Sequence, residues 1–329
     1  MLMQRAQYPQ RGPVPQDVIA AVDFELSAPG PTQALLELLA APINPSDVLT
    51  LTGQYGMLPP LPAVGGNEGV GRVVEVGSGV TTVKVGQTVL LPVGSGTWAT
   101  HQLAEASRLV ALPTGVDAQQ LAMLTINPPT ALLMLRDFVE LQAGDWVIQN
   151  AANSAVGGYL VQIAALRGIN VVSVVRRESA IDDVKAAGGE VVLVDGEDLH
   201  KRVAIATGGV KPRLAIDAVG GAATERLART LVDGGTLVNY GGMSGEACQI
   251  SPGSFVFKDI TLKGFWLTMW FRRATPAQQM DVFAQLTRWI AEGKLKARVQ
   301  ATFTVAQIKQ AVAMAAAGER DGKILLVGG

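Results

Sequence analysis

Trp146-Val147-Ile148-Gln149-Asn150-Ala151-Ala152-Asn153-Ser154-Ala155-Val156-Gly157 is the stretch on which the reading of this chain turns. Its first four residues form a short apolar run after the break at Gly144, and residues 156–166 are apolar at helical spacing up to Gly168. A second apolar run follows at 171–175, which completes a strand, turn, helix and strand: one βαβ unit. The alternation recurs with runs at 191–194, 214–218, 236–240 and 261–265, separated by helical segments such as 224–231. Strands that are apolar throughout are covered on both faces. The pattern therefore predicts an α/β fold with a doubly wound parallel sheet.

Against the dinucleotide fingerprint G-x-G-x-x-G, the three glycine places hold Ala152, Ser154 and Gly157, with Asn153, Ala155 and Val156 among them. Small residues still let a pyrophosphate approach the helix N-terminus, where N–H groups and the helix dipole favour anions. The alternative is an ordinary strand-to-helix turn. A site for NAD places Asp or Glu about 20 residues beyond the fingerprint; here the second strand ends on Arg176-Arg177. Two guanidinium forks suit a 2′-phosphate, which predicts NADPH as the cofactor. A solvated basic loop is the alternative.

Outward from this core, Val70, Val73, Val74 and Val76 among Gly69, Gly77, Gly79 and Gly86 give the first third the texture of a small β barrel. Helical spacing through Ala122, Leu124, Ala131, Leu132 and Leu135 marks the passage to the nucleotide domain. After Thr275, a helix over 276–291, a strand, another helix and a strand over 323–327 are expected to complete the first domain. The expected domains are 1–122 with 268–329, and 123–267.

Composition limits the function. The chain has 329 residues, 48% of them hydrophobic and 17% charged, and a formal charge of −1, which describes a soluble globular protein with no global attraction to nucleic acid. Cys248, His101 and His200 are the only soft metal ligands, too few for a thiolate zinc centre, so no metal is expected. Residues 1–12 lack an apolar targeting core and no run reaches the ~18 apolar residues of a membrane helix. The expectation is a cytoplasmic protein without a membrane partner.

Asn44-Pro45-Ser46-Asp47, Gly53-Gln54-Tyr55-Gly56, Leu58-Pro59 and 62–69 (Pro-Ala-Val-Gly-Gly-Asn-Glu-Gly) carry a resemblance that continues through Asn127-Pro128, 153–157, Tyr240-Gly241-Gly242-Met243, Gly264-Phe265-Trp266-Leu267 and Gly322-Lys323-Ile324. Together they resemble the 2-enoyl thioester reductases of the zinc-independent medium-chain dehydrogenase/reductase superfamily. The resemblance implies a GroES-like catalytic domain split around a Rossmann domain, and NADPH-dependent reduction of a trans-2-enoyl thioester, on coenzyme A or acyl carrier protein, to the saturated thioester. Where many zinc-dependent relatives carry a histidine before the glutamate, this chain has Asn67.

The resemblance makes Tyr55 the catalytic residue. It places Asn127, Asn153, Ser154, Ala155, Val156, Gly157, Arg176, Arg177, Tyr240, Gly241, Gly242, Met243, Phe265, Trp266, Leu267 and Lys323 around the cofactor or pocket. Hydride delivery to Cβ puts negative charge on the thioester oxygen, so the site needs a donor there and a proton for Cα. A phenol, protonated at neutral pH, supplies both. The alternative for Tyr55 is a loop tyrosine packed on the barrel. Asn44, extended before a proline, is a candidate for contact with substrate or nicotinamide, or a plain turn starter. Asn67 and Glu68 are read as structural hydrogen-bonding groups of their loop. Trp266 is taken as an acyl-pocket wall, Trp270 is left open, and Arg272-Arg273 as an anionic-carrier contact or a solvated pair. The apolar 258–266 segment predicts a homodimer through an edge strand. Competing activities are an NADPH:quinone reductase and a non-catalytic NADPH-binding regulator.

Overall fold

The computed structural model describes residues 3–318 and 321–328, so the outer limits expected for the first domain, 1 and 329, lie outside the described residues. Two compact units emerge: Met1–Thr125 with Thr287–Gly329, and Ile126–Leu286. The first opens with β1 (Met3–Tyr8), β2 (Ala20–Phe24), β3 (Gln33–Pro42), β4 (Ala63–Val64), β5 (Val70–Val76), β6 (Thr88–Leu90), β7 (His101–Glu105) and β8 (Val110–Ala111). The second contributes β9 (Trp146–Gln149), β10 (Asn170–Val175), β11 (Val191–Val194), β12 (Leu214–Asp217), β13 (Thr236–Asn239) and β14 (Thr261–Gly264). The chain then returns to the first unit with β15 (Val299–Phe303) and β16 (Lys323–Val327).

In the first unit, β15-β16-β3-β5-β6-β8 form one sheet with β7 also on β3, and β2-β1-β4 form a second. Alternate residues of β3 point inward, Leu36 and Leu38 among them, and meet Val73, Val89, Trp98, Ile324 and Leu326 in one core. That period of two is what a half-buried strand requires. The last strand is structural to the sheet: Leu325 to Val327 pair antiparallel with Pro42 to Ala40.

In the second unit all pairings are parallel, in the order β11-β10-β9-β12-β13-β14. Every residue of β12 is buried, as a strand covered on both faces must be. The edge strand β14 is exposed along its whole length.

Three expectations change. The helical pattern through 121–135 is not one helix: Ala118–Leu121 ends, a turn follows, and Asn127–Arg136 starts anew. Pro128 and Pro129 sit in its first turn, where a missing N–H costs nothing, and they prevent continuation from the preceding turn. The helix expected over 224–231 is Ala222–Ala228. The second domain boundary also lies at 286/287 rather than 267/268. Phe283 on the helix Pro276–Ala291 stacks on Phe271 at 5.9 Å, and Gln279 Nε2 donates to the carbonyls of Phe271 and Ala274, so most of this helix stays with the nucleotide unit.

Candidate active site

The parallel sheet presents its expected cofactor residues at the C-terminal ends of its strands, where open α/β sheets bind ligands. After β9, Ser154 caps the helix Ala155–Leu166, its Oγ accepting from the Gly157 N–H at 3.1 Å. A Cβ on Gly157 would lie 2.4 Å from the Ala152 carbonyl oxygen, so only glycine lets the helix start this close to the turn. The left-handed position of the turn is Ala151, with φ 47°, one residue before the fingerprint's first glycine place. Asn153 is exposed, Ala155 half-buried and Val156 buried.

Beyond β10, Arg176 is exposed and Arg177 half-buried, its Nε donating to Ser179 Oγ at 3.0 Å. After β13, Tyr240 is hydrogen-bonded to Ser154, and burial pushes its phenol above the ordinary value. Gly241 packs against Ala218, Gly242 faces open space and Met243 is exposed. Following β14, Phe265 meets Phe138 edge-on at 5.9 Å, Trp266 is half-buried, and Leu267 is buried. Asn127 is buried at the start of its helix.

The turn therefore fits a dinucleotide. The first N–H groups of a helix have no intrahelical acceptor, and two arginines stand where a ribose-binding carboxylate would oppose a 2′-phosphate. Replacing Arg176 and Arg177 with alanine is expected to weaken NADPH binding by at least about tenfold while leaving NADH within a few-fold, because charge-assisted hydrogen bonds contribute roughly 1.5–3 kcal/mol. Fluorescence titration with both nucleotides checks it, and equal losses would place the arginines elsewhere.

One group at these strand ends escaped sequence reasoning. Asp217, the last residue of β12, is fully buried and accepts from Asn150 Nδ2 at 2.6 Å, the N–H groups of Val219 and Gly220, Thr224 Oγ1 at 2.7 Å and Asn239 Nδ2 at 3.1 Å. Asn150 in turn accepts from the Ala218 N–H at 2.7 Å. A single carboxylate thus ties together the loops after β9, β12 and β13.

In the first unit, Tyr55 follows the helix Pro45–Thr52 and is half-buried. Asn44 and Asp47 form a capping box at the helix start: the Asn44 N–H donates to Asp47 Oδ2 at 2.7 Å. At the other end Gly53 adopts φ 79°, and the N–H of Gln54 returns to the Leu49 carbonyl at 2.8 Å. Arg11 spans the loop beyond, with its Cδ near Gly53 and Nη2 donating to the Pro59 carbonyl. Tyr55 thus sits in a short loop bracketed by the Gly53 turn and by the Arg11 contact to Pro59.

Asn44 lies in a buried polar cluster. Its Nδ2 donates to Glu68 Oε1 at 2.8 Å, and its Oδ1 accepts from the Lys323 ammonium, which also reaches the Ile43 carbonyl at 3.3 Å. Glu68 Oε2 accepts from the N–H and Oγ1 of Thr125 at 3.1 and 3.0 Å, and Asn67 Nδ2 donates to Asp47 Oδ1 at 2.6 Å. Burial pushes the Asp47 carboxyl up to about 6 and that of Glu68 to about 7, against hydrogen bonds and the Lys323 charge that pull them down. Glu68 thus reaches well beyond its own loop, and Lys323 is drawn together with Asn44.

The sequence model of the family described as "Alcohol dehydrogenase GroES-like domain" matches residues 30–114, and that described as "Zinc-binding dehydrogenase" matches 155–291. The donors do not fit a zinc ion: among the described residues no three His, Cys, Asp or Glu converge, and Cys248 is exposed. The mitochondrial enoyl-[acyl-carrier-protein] reductase of Bos taurus is 42% identical over 290 residues, covering 86% of this chain and 78% of that protein. Two solved structures, a complex of Etr1p with NADP and crotonyl-CoA and the mitochondrial 2-enoyl thioester reductase Etr1p/Etr2p heterodimer from Candida tropicalis, each superimpose with a TM-score of 0.90 at 29% identity. Each match covers 99% of this chain and 100% of the other.

Proposed function

The chain belongs to the enoyl-[acyl-carrier-protein] reductase family of the medium-chain dehydrogenase/reductase superfamily, and from that premise we propose how its own residues carry the reaction. The activity is NADPH-dependent reduction of a trans-2-enoyl thioester, on coenzyme A or acyl carrier protein, to the saturated thioester. Ser154 to Gly157 and the Arg176-Arg177 pair hold the pyrophosphate and 2′-phosphate; Asn127, Tyr240 to Met243 and Phe265 to Leu267 shape the remainder of the pocket. Bound NADPH supplies the hydride that reaches Cβ of the substrate. As that bond forms, the π electrons move towards the thioester oxygen, and the Tyr55 hydroxyl donates its hydrogen bond there. Tyr55 then gives a proton to Cα and recovers one from water.

The observation that supports this role is the position of Tyr55 in the loop directly after a helix capped at both ends, since a proton donor needs a fixed position. The test is NADPH oxidation with crotonyl-CoA beside the same assay with a quinone. Turnover of the thioester at the higher kcat/KM is expected, and the reverse order would move the substrate assignment to quinones.

For assembly the proposal is a two-fold homodimer through β14. In its support, β14 is an exposed edge strand, and the preceding segment exposes Phe255 and Val256, with Phe257 84% accessible. An open apolar edge left unpaired invites aggregation. Light scattering at micromolar concentration is expected to give twice the chain mass, and a monomer mass would refute the pairing. We place the protein in the cytoplasm, where a single exposed cysteine is kept reduced, although the relatives are named mitochondrial.

A further inference from the structure

We infer that Glu68, acting through Asn44 and with Lys323 opposite, is a positioning residue that sets Tyr55 for proton transfer; the inference rests on the role of Tyr55 proposed above. The hydrogen bonds around Asn44 have one direction only. Lys323 is a donor without acceptor capacity, so the Asn44 amide must turn its oxygen to Lys323 and its NH₂ to Glu68. On the far side, Glu68 receives both donors of Thr125. Only a carboxylate with two accepting oxygens satisfies this arrangement. The oriented Asn44 is the N-cap of the helix Pro45–Thr52, an eight-residue rod about 12 Å long from whose other end Tyr55 extends.

The loop between β4 and β5 that carries Glu68 is itself fixed. Thr97 Oγ1 donates to the Glu68 carbonyl at 2.8 Å, and Trp98 packs on Gly65 and Gly66 while its Nε1 donates to the Pro42 carbonyl at 3.2 Å. The charged and titratable groups facing Glu68 are Lys323 on β16 and Asp47 on the helix; Tyr8 and Arg11 stand behind Asp47.

Two consequences separate positioning from simple support. Protonation of Glu68 gives one oxygen a hydrogen where Asn44 or Thr125 already donates, so kcat is expected to fall as pH drops below about 7. Folding responds with the opposite sign. A carboxyl whose folded pKa is raised from 4.5 to about 7 stabilises most below its unfolded value, and that contribution is lost as pH rises through about 7. Activity and Tm therefore run in opposite directions over the same pH interval.

Glu68→Gln tests this. Gln must present an NH₂ either to the Asn44 amide or to the Thr125 N–H, which frustrates the cluster, yet it removes a buried charge. We expect kcat with crotonyl-CoA to fall about ten- to a hundredfold at pH 8, with KM and the NADPH Kd changed less than about threefold and the low-pH limb of kcat gone. In a Tyr55→Phe background the same change should cost less than about threefold more, because both act on one proton donor. Full kcat in Glu68→Gln, while Tyr55→Phe alone is slow, would overturn the positioning role and leave Tyr55 in place. Full activity of Tyr55→Phe would overturn the underlying reading instead. Should Glu68→Gln fold poorly, Thr125→Val, which removes one bond to the carboxylate, is expected to lower kcat about threefold or more and shift the limb; an unchanged profile would equally overturn the role.

Discussion

Tyr55→Phe is expected to bind NADPH as the parent does and to reduce crotonyl-CoA at least about a hundredfold more slowly. The variant keeps the ring, its packing and the loop that carries it, and loses only the hydroxyl. Removing one donor to a developing oxyanion typically costs about 10²–10³ in turnover, which corresponds to roughly 2.7–4 kcal/mol of barrier. A tyrosine that merely fills the loop would leave the rate within a few-fold. The loss should appear in kcat rather than KM, because the hydrogen bond strengthens as charge reaches the thioester oxygen. Steady-state kinetics together with a nucleotide titration decide the matter. Quinone reduction, which places no charge on a thioester oxygen, should decline less.

Asp217→Ala is expected to lower the melting temperature by on the order of 10 °C and to abolish measurable NADPH binding. Five donors converge on this carboxylate, two of them backbone N–H groups of the loop after β12. Each buried donor left without an acceptor costs about 1–3 kcal/mol, and because relaxation and water recover part of it the net loss is about 3–5 kcal/mol. For a unit of this size each kcal/mol moves the melting temperature by roughly 2–4 °C. Binding suffers because the residues released are the loops that carry Tyr240 and Gly241. Calorimetry with and without NADPH checks both effects, and a ligand-induced shift equal to the parent's would show that the loops hold without Asp217.

The parallel sheet was legible because a strand covered on both faces is written as a continuous apolar run, and all six runs occupy their strands within a residue or two. The passage around 121–136 was misread for the same reason: a buried turn such as 122–126 is as apolar as a helix, and the signal lay instead in Pro128-Pro129, which start the next helix. The boundary near 267 failed because sequence spacing cannot show that Phe283 stacks on Phe271. Among the candidate site residues, Tyr55, Ser154 and the arginine pair stand out in the sequence as unusual residues in loops. Glu68 does not, since its partners Asn44 and Thr125 stand 24 and 57 residues away and its chemistry exists only once they meet. Asp217 offered a faint cue, an acid closing an apolar strand, which reads equally as an ordinary strand end.

β16 joins β3 from the far end of the chain, and it brings Lys323 to Asn44 across 279 positions. During synthesis the nucleotide unit, continuous from Ile126 to Leu286, is complete while the first unit still lacks a strand of its sheet and the cation of its buried cluster. Until β16 leaves the ribosome, the Lys323 ammonium is not yet in place to donate to the Asn44 oxygen or to offset the charges of Asp47 and Glu68. The order of translation thus completes the nucleotide unit before the sheet and buried cluster of the first unit, so the segment that carries Tyr55 settles only after the turn at Ser154 has formed.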